Sequence, residues 1–332
     1  MRFSVDIKGH VWLLPALKVV AAWLMLTVGA SAAPASERPQ ADDLRRPPPE
    51  GVKKGRGGPS LSSEPVLQLI HRTPESLKDR RGDYPTAALR MALDKTRASH
   101  GPYRLELAPA MNKLRTQKTM SSRALKNFIA VLAFDPAHAE LGLDYLRFPL
   151  HFGAMGYRVC FVAPGKREAV ANANTLTELK QFSFGQGVGW SDVAVLRGNG
   201  FKVVEVASYE SLFAMLQRGR FDLLCRGVIE IQAELLAHPE LQLDQSFAFT
   251  YPLPMFFYTH IDNRAVKERV AAGLQIAFDD GSLLKLFKHH FRDSLKLVDL
   301  SSRRIHRLGN TDAAKGAFDF QKYDLILDEL VN

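Results

Sequence analysis

The sequence predicts an α/β protein of two lobes joined by two crossing strands. Three observations lead to that class. From residue 66 to residue 291, short apolar runs alternate with stretches of helical spacing, the order that builds a largely parallel sheet covered on both faces. A glycine-rich turn, Gly185-Gln186-Gly187-Val188-Gly189-Trp190-Ser191-Asp192, stands between a strand and a helix, where backbone N–H groups converge on an anion or a polar ligand group. Two β-rich runs, 157–162 and 254–258, are bounded by proline and turn signals and carry the chain from the first lobe to the second and back.

Taken in order, residues 1–33 read as a secretory signal. Arg2, Lys8 and Lys18 give a basic start, 19–28 an apolar core too short for a mature membrane span, and Ala30-Ser31-Ala32 a small-residue cleavage site. Cleavage is expected near Ala32 or Ala33, with a periplasmic product. Residues 34–63 turn to Pro, Gly, Ser and charge, as in Arg46-Pro47-Pro48-Pro49-Glu50-Gly51, and bury too little apolar surface to offset their ordering entropy. They are read as a disordered linker.

The first part of lobe one is assigned to 64–160. Within it 66–70 reads as a buried strand and 84–98 as a helix with Leu89, Ala92 and Leu93 on one face. A strand follows over 103–107, a helix around Ser121 to Leu125, and a buried strand over 128–132. Lobe two, 161–253, opens with the polar segment 166–177. Next come the run 182–184, the glycine turn, a helix over 193–197, a strand over 201–206, a second helix, a strand over 221–225 and a last piece over 243–249. Residues 254–332 return to lobe one. An amphipathic helix over 265–278 ends at Asp279-Asp280-Gly281-Ser282, Ser282 caps a second helix over 283–291, and the tail from 295 is assigned to lobe one.

The chain has 332 residues, 46% of them hydrophobic, enough for two cores. Its formal charge of +9 invites a nucleic-acid reading, but Lys and Arg are spread through the chain without interleaved aromatics, so no nucleic-acid partner is expected. Cys160 and Cys225 both sit in strand-like runs, and export permits either a disulfide or two separately buried thiols. No His/Cys spacing suggests a metal, and His289-His290 at a helix end complements the helix dipole. The glycines at 185, 187 and 189 do not have dinucleotide-loop spacing, and no P-loop, G-x-S-x-G or EF-hand loop is present, so no cofactor is expected.

Several local patterns resemble one known family. Thr175-Leu176-Thr177-Glu178-Leu179 is similar to a helix leading into a second lobe, 185–192 to a ligand-contacting turn, 209–222 to a helix-turn-strand signature, and Asp279-Asp280-Gly281-Ser282-Leu283 to a C-terminal helix pair. Together they resemble the family 3 extracellular solute-binding proteins of ABC uptake systems, which have the type II periplasmic binding-protein fold. The resemblance spans about 65–291 and implies a monomer without catalytic activity. Its two lobes close on a small molecule, in service of an inner-membrane permease or a sensor.

The sequence departs from that family at two places. The matching positions upstream of Phe148-Pro149-Leu150-His151-Phe152, near Gly142 and Leu143, hold nothing basic where that family has an arginine, and the aspartate expected after the strand 221–225 is replaced at Arg226-Gly227. A guanidinium prefers carboxylate or phosphate, so the expected ligand is polar and acidic. Six residues are candidates for ligand binding. Arg226 stands at the cleft edge, or else pairs with Glu230. Trp190 stacks on the ligand, or packs at the base of the lobe. Gly189 and Ser191 donate N–H and hydroxyl, or form an ordinary turn and helix cap. Arg158 faces the cleft from a crossing strand, or pairs across the hinge. Tyr84 closes over the ligand, or is a core aromatic. Two rival readings are an enzyme on the same fold using Glu230, Asp192 or His151, and an envelope interaction protein whose cleft is closed off.

Overall fold

The computed structural model describes residues 66–311. The signal segment, the linker and the tail beyond 311 lie outside the described residues. The chain begins with β1 (Leu67–His71), α1 (Asp83–Lys95), α2 (Arg97–His100), β2 (Tyr103–Leu107), α3 (Lys113–Ser121), β3 (Phe128–Ala133) and β4 (Leu143–Tyr145). β1 is parallel to β2 and β3. β3, Phe-Ile-Ala-Val-Leu-Ala, is apolar throughout because it lies inside the sheet with both faces covered.

The second lobe runs through β5 (Tyr157–Val162), α4 (Arg167–Ala171), α5 (Leu176–Leu179), β6 (Ser183–Gly187), α6 (Ser191–Gly198) and β7 (Lys202–Val206). It continues with α7 (Tyr209–Gln217), β8 (Leu223–Gly227), α8 (Ile231–Ala237), β9 (Gln242–Leu243) and β10 (Phe247–Thr250). The chain then returns through β11 (Met255–His260), α9 (Arg264–Asp279) and α10 (Ser282–Val298) to β12 (Arg304–Arg307). One sheet has the order β2-β1-β3-β11-β4; the other is β12-β10-β5-β8-β6-β7, with β9 beside β5.

Local chemistry sets several of these boundaries. Thr175 and Glu178 form a reciprocal capping box at α5. On α1, Tyr84, Ala88, Leu89, Ala92 and Leu93 form one buried stripe that packs on α9. The two helices approach so closely at Gly273 that a Cβ there would lie 2.0 Å from Ala92 O. Among the described residues, no helix is long and apolar enough to cross a membrane.

Five expectations are corrected. The two crossing segments do run antiparallel, with Tyr251 N donating to Gly156 O at 3.0 Å and Leu150 N to Met255 O at 2.9 Å. The strands assigned to the crossing, however, belong to different sheets: β5 pairs with β8 and β10, and β11 with β3 and β4. Pro252 and Pro254 lack an N–H, so the ladder stops between β10 and β11 and the waist is built from the connecting residues. The helix expected around Ser121 to Leu125 lies earlier, where Asn112 caps α3 by accepting from Arg115 N; Arg123 and Asn127, with φ of 56° and 53°, break it afterwards. The glycine-rich turn is shorter than expected, because β6 runs through Gly185 and Gly187. Ser282 is not the cap but the first residue of α10; Gly281, with φ 77°, precedes it. Finally, the tail joins lobe two: β12 pairs in parallel with β10, and Arg303 donates to Asp244 O and Phe247 O. α10 packs on α1, α9 and α8, so the chain passes between the lobes a third time.

The cysteine alternative resolves as a disulfide. Cys160 and Cys225 face each other across β5 and β8 and are bonded, among the buried side chains of lobe two.

Candidate ligand site

Residues from both lobes and from the crossing segments line one cavity of about 590 Å³. Lobe one contributes Arg72 and Arg81 from the loop after β1, Tyr84 from α1, Lys113 from the start of α3, and Ile129 and Val131 from β3. Lobe two contributes Arg158 from β5, Trp190 to Asp192, Tyr209, Arg226, Glu230 and Glu234, Met255 stands at the start of β11, and His151, Met155 and Leu253 come from the waist. The lobes also touch. Asn112 Nδ2 donates to Ala207 O at 3.4 Å, Ser76 Oγ donates to Glu210, and the Arg81 guanidinium lies 3.8 Å from the Tyr209 ring centroid.

All six candidate residues line this cavity, but they differ in what they have left to offer. Arg226 is buried and already paired, from Nη2 to Glu230 at 2.5 Å and from Nε to Glu234 at 2.7 Å. Arg158 donates from Nε to Asp192 at 2.8 Å and to Tyr251 Oη at 3.2 Å, and Tyr251 itself donates to Asp192 at 2.5 Å. Tyr84 is 1% exposed, donates its hydroxyl to Leu150 O at 2.9 Å and packs edge-on against Phe287 and Phe291, which is the core-aromatic alternative. Gly189 adopts φ 77°, and a Cβ there would lie 3.2 Å from Leu114 N across the cleft. Ser191 opens α6. Trp190 is half-buried in the wall, with the Arg226 guanidinium 4.5 Å from its ring centroid. Gly187 makes room for that ring, since a Cβ at 187 would lie 2.3 Å from it.

Charges on the wall are closely matched to partners. Arg72 meets Glu75 at 2.9 Å and Asp79 at 3.1 Å, and Arg81 meets Asp79 at 2.7 Å and Glu75 at 2.9 Å. Burial pushes the Asp79 carboxyl up, but the hydrogen bond and charge of Arg81 together with the charge of Arg72 outweigh it and hold it well below the usual carboxylate range. Glu234 moves the other way. Burial, with Glu230 adding and Arg226 opposing, raises it to about 7, and its Oε2 has no hydrogen-bond partner. Burial, with Lys113 and Arg158 adding to it, lowers His151 to about 3. Lys113 is lowered to about 7 by burial and then by Arg72 and Arg81; its amine donates to Val131 O.

Arg72, Arg81, Lys113, Tyr209 and Glu234 were missed in the sequence. Lys113 follows Asn112, a recognisable helix cap, but the apolar periodicity of α3 is weak. The Arg72 to Arg81 loop shows only a run of mixed charge, the ordinary mark of a solvated surface.

Two mixed sheets, antiparallel connecting segments and a cavity lined from both sides define the type II periplasmic binding-protein fold, and solved structures agree. A Salmonella typhimurium periplasmic binding protein with high arginine specificity aligns at TM-score 0.54 and 14% identity, over 68% of this chain and 100% of its own. An ancestral arginine-binding protein bound to arginine aligns at TM-score 0.52 and 16% identity, over 68% and 98%. An amino acid ABC transporter substrate-binding protein from Streptococcus pneumoniae bound to L-arginine aligns at 0.51 and 15%, over 68% and 95%. No protein-family model matches the sequence, and no curated protein matches it.

Proposed function

We propose that this protein is an exported, non-catalytic solute-binding protein whose lobes close on a small polar molecule bearing an acidic group. The observation that carries the reading is the 590 Å³ cavity walled by both lobes and the waist, a volume suited to a small metabolite. Ligand contacts made to both lobes exist only in the closed form, and that difference drives closure. The solved structures of the same fold are those of periplasmic or ABC-transporter binding proteins, which favours binding over catalysis. Of the groups an enzyme would need, Glu230 and Asp192 are held by arginines and His151 is kept neutral. Acidity of the ligand is favoured by Lys113, which lines the cavity without an ion pair among the described residues, whereas Arg72, Arg81, Arg158 and Arg226 each face a carboxylate. The loaded protein then serves a permease or a sensor at the membrane. Calorimetric titration of the mature protein against a metabolite panel, paired with solution scattering, tests this; heat of binding with compaction is expected, and neither across the panel overturns it.

A further inference from the structure

We propose that Lys113 anchors the anionic group of the ligand, so that the cavity selects a carboxylate-bearing solute. This rests on the solute-binding reading above and names the group that does the selecting.

The arginines in the wall are paired with carboxylates, although the buried Arg72 Nε has no hydrogen-bond partner. Arg72, Arg80, Arg81, Arg158 and Arg226 each have a carboxylate at 2.9 Å or closer. A ligand anion placed on Arg226 would crowd Glu230 and Glu234. Among the described residues, Lys113 forms no ion pair; its ammonium has three donors, and Val131 O takes one. The charged and titratable groups around it come from several elements. Arg72 and Arg81, backed by Asp79, approach from the loop after β1, Glu230 from the residue preceding α8, and His138 and His151 from the connections on either side of β4. Burial lowers both histidines, so neither supplies a compensating charge.

An incoming carboxylate supplies the counter-charge that Lys113 lacks. The amine sits at about 7, lowered by burial and then by the charges of Arg72 and Arg81. Pairing returns it toward its ordinary value near 10.4, so binding takes up close to one proton at pH 8 and about a tenth at pH 6. Affinity therefore falls about tenfold per pH unit above 7. Glu234 titrates in the same range with the opposite signature, since a ligand cation beside it would expel a proton.

The test is titration calorimetry on the mature protein at pH 6 and pH 8, in buffers of different ionisation enthalpy. The probes are succinate, L-glutamate, L-arginine and agmatine, which is arginine without its carboxylate. A carboxylate probe that binds with proton uptake at pH 8 supports the anchor, provided that Lys113→Met weakens it about ten- to a hundredfold while Lys113→Arg retains most of it. Melting temperatures confirm that both variants fold. Binding without proton uptake, equal affinity for arginine and agmatine, or unchanged affinity in Lys113→Met overturns the anchor and leaves the solute-binding reading intact. If none of the probes binds at millimolar concentration or compacts the protein, both fall.

Discussion

Arg226 donates from Nε to Glu234 Oε1 at 2.7 Å, so the cation that the sequence offers to a ligand already serves a buried carboxylate. Glu230 holds the other side of the same guanidinium, and Tyr209 Oη donates to Glu234 at 2.9 Å. Removing one member of such a cluster leaves buried charge uncompensated, so Arg226→Met should destabilise the fold by about 3–5 kcal/mol. Urea unfolding of the variant should show a lower midpoint with an unchanged slope. Combining it with Glu234→Leu should recover part of the loss; an additive double variant would rule out the coupling.

Gly187 and Trp190 are coupled sterically. A methyl group at 187 would lie 2.3 Å from the indole, which itself stacks with Arg226. Gly187→Ala should therefore cost about 1–3 kcal/mol through overpacking and move the ring out of the wall. Its tryptophan emission should shift, and ligand affinity should drop with it. Parental emission and stability in the variant would show that the wall accommodates the methyl.

These two residues show what was legible in the sequence. Apolar runs gave the order of strands and helices because an apolar run reports burial directly, as in β3, whereas β2 ends on the exposed Leu107. The Gly187 to Ser191 stretch marked the cavity wall, although β6 extends through two glycines that the sequence suggests for a turn. Those glycines are there to fit the rings of Phe221 and Trp190, a tertiary cause with no local signal. Arg226 pairing with Glu230 was readable from their spacing of four. Lys113 was not, because its setting is assembled from a loop forty residues upstream and from the far lobe.

Stability should depend on pH through Glu234. Burial raises its folded pKa to about 7, above an unfolded value near 4.5. The folded state thus holds the proton more tightly, and this contribution is fully present below about pH 4.5 and lost as pH rises through 7. Asp79 acts oppositely: its folded pKa lies below the unfolded value, so its contribution is present above about pH 4 and lost as pH falls further. Chemical denaturation should therefore show the stability of the parent relative to Glu234→Gln declining between pH 5 and 7, while His151, lowered to about 3, contributes a rise with pH to both proteins up to its unfolded value near 6.5. A variant with the same slope as the parent would contradict the assignment.

Ser294 ties the third passage to lobe two. It is buried on α10, donates from Oγ to Val228 O at 2.7 Å and accepts from Gln232 N at 3.2 Å, while the same helix packs on α1 and α9. Val228 follows the strand that carries Arg226, and Gln232 lies on the helix that carries Glu234, so these bonds fasten the charged wall to an element anchored on lobe one. Ser294→Ala leaves a buried carbonyl and a backbone N–H each without that partner, at a cost of about 1–3 kcal/mol. Because the loss falls on the join between lobes, it should appear in shape as well as stability. The variant should scatter with a larger radius of gyration than the parent when free, and regain the parental value when a ligand bridges the lobes. A variant that is destabilised yet keeps the parental radius in both states would make α10 a packing element without influence on closure.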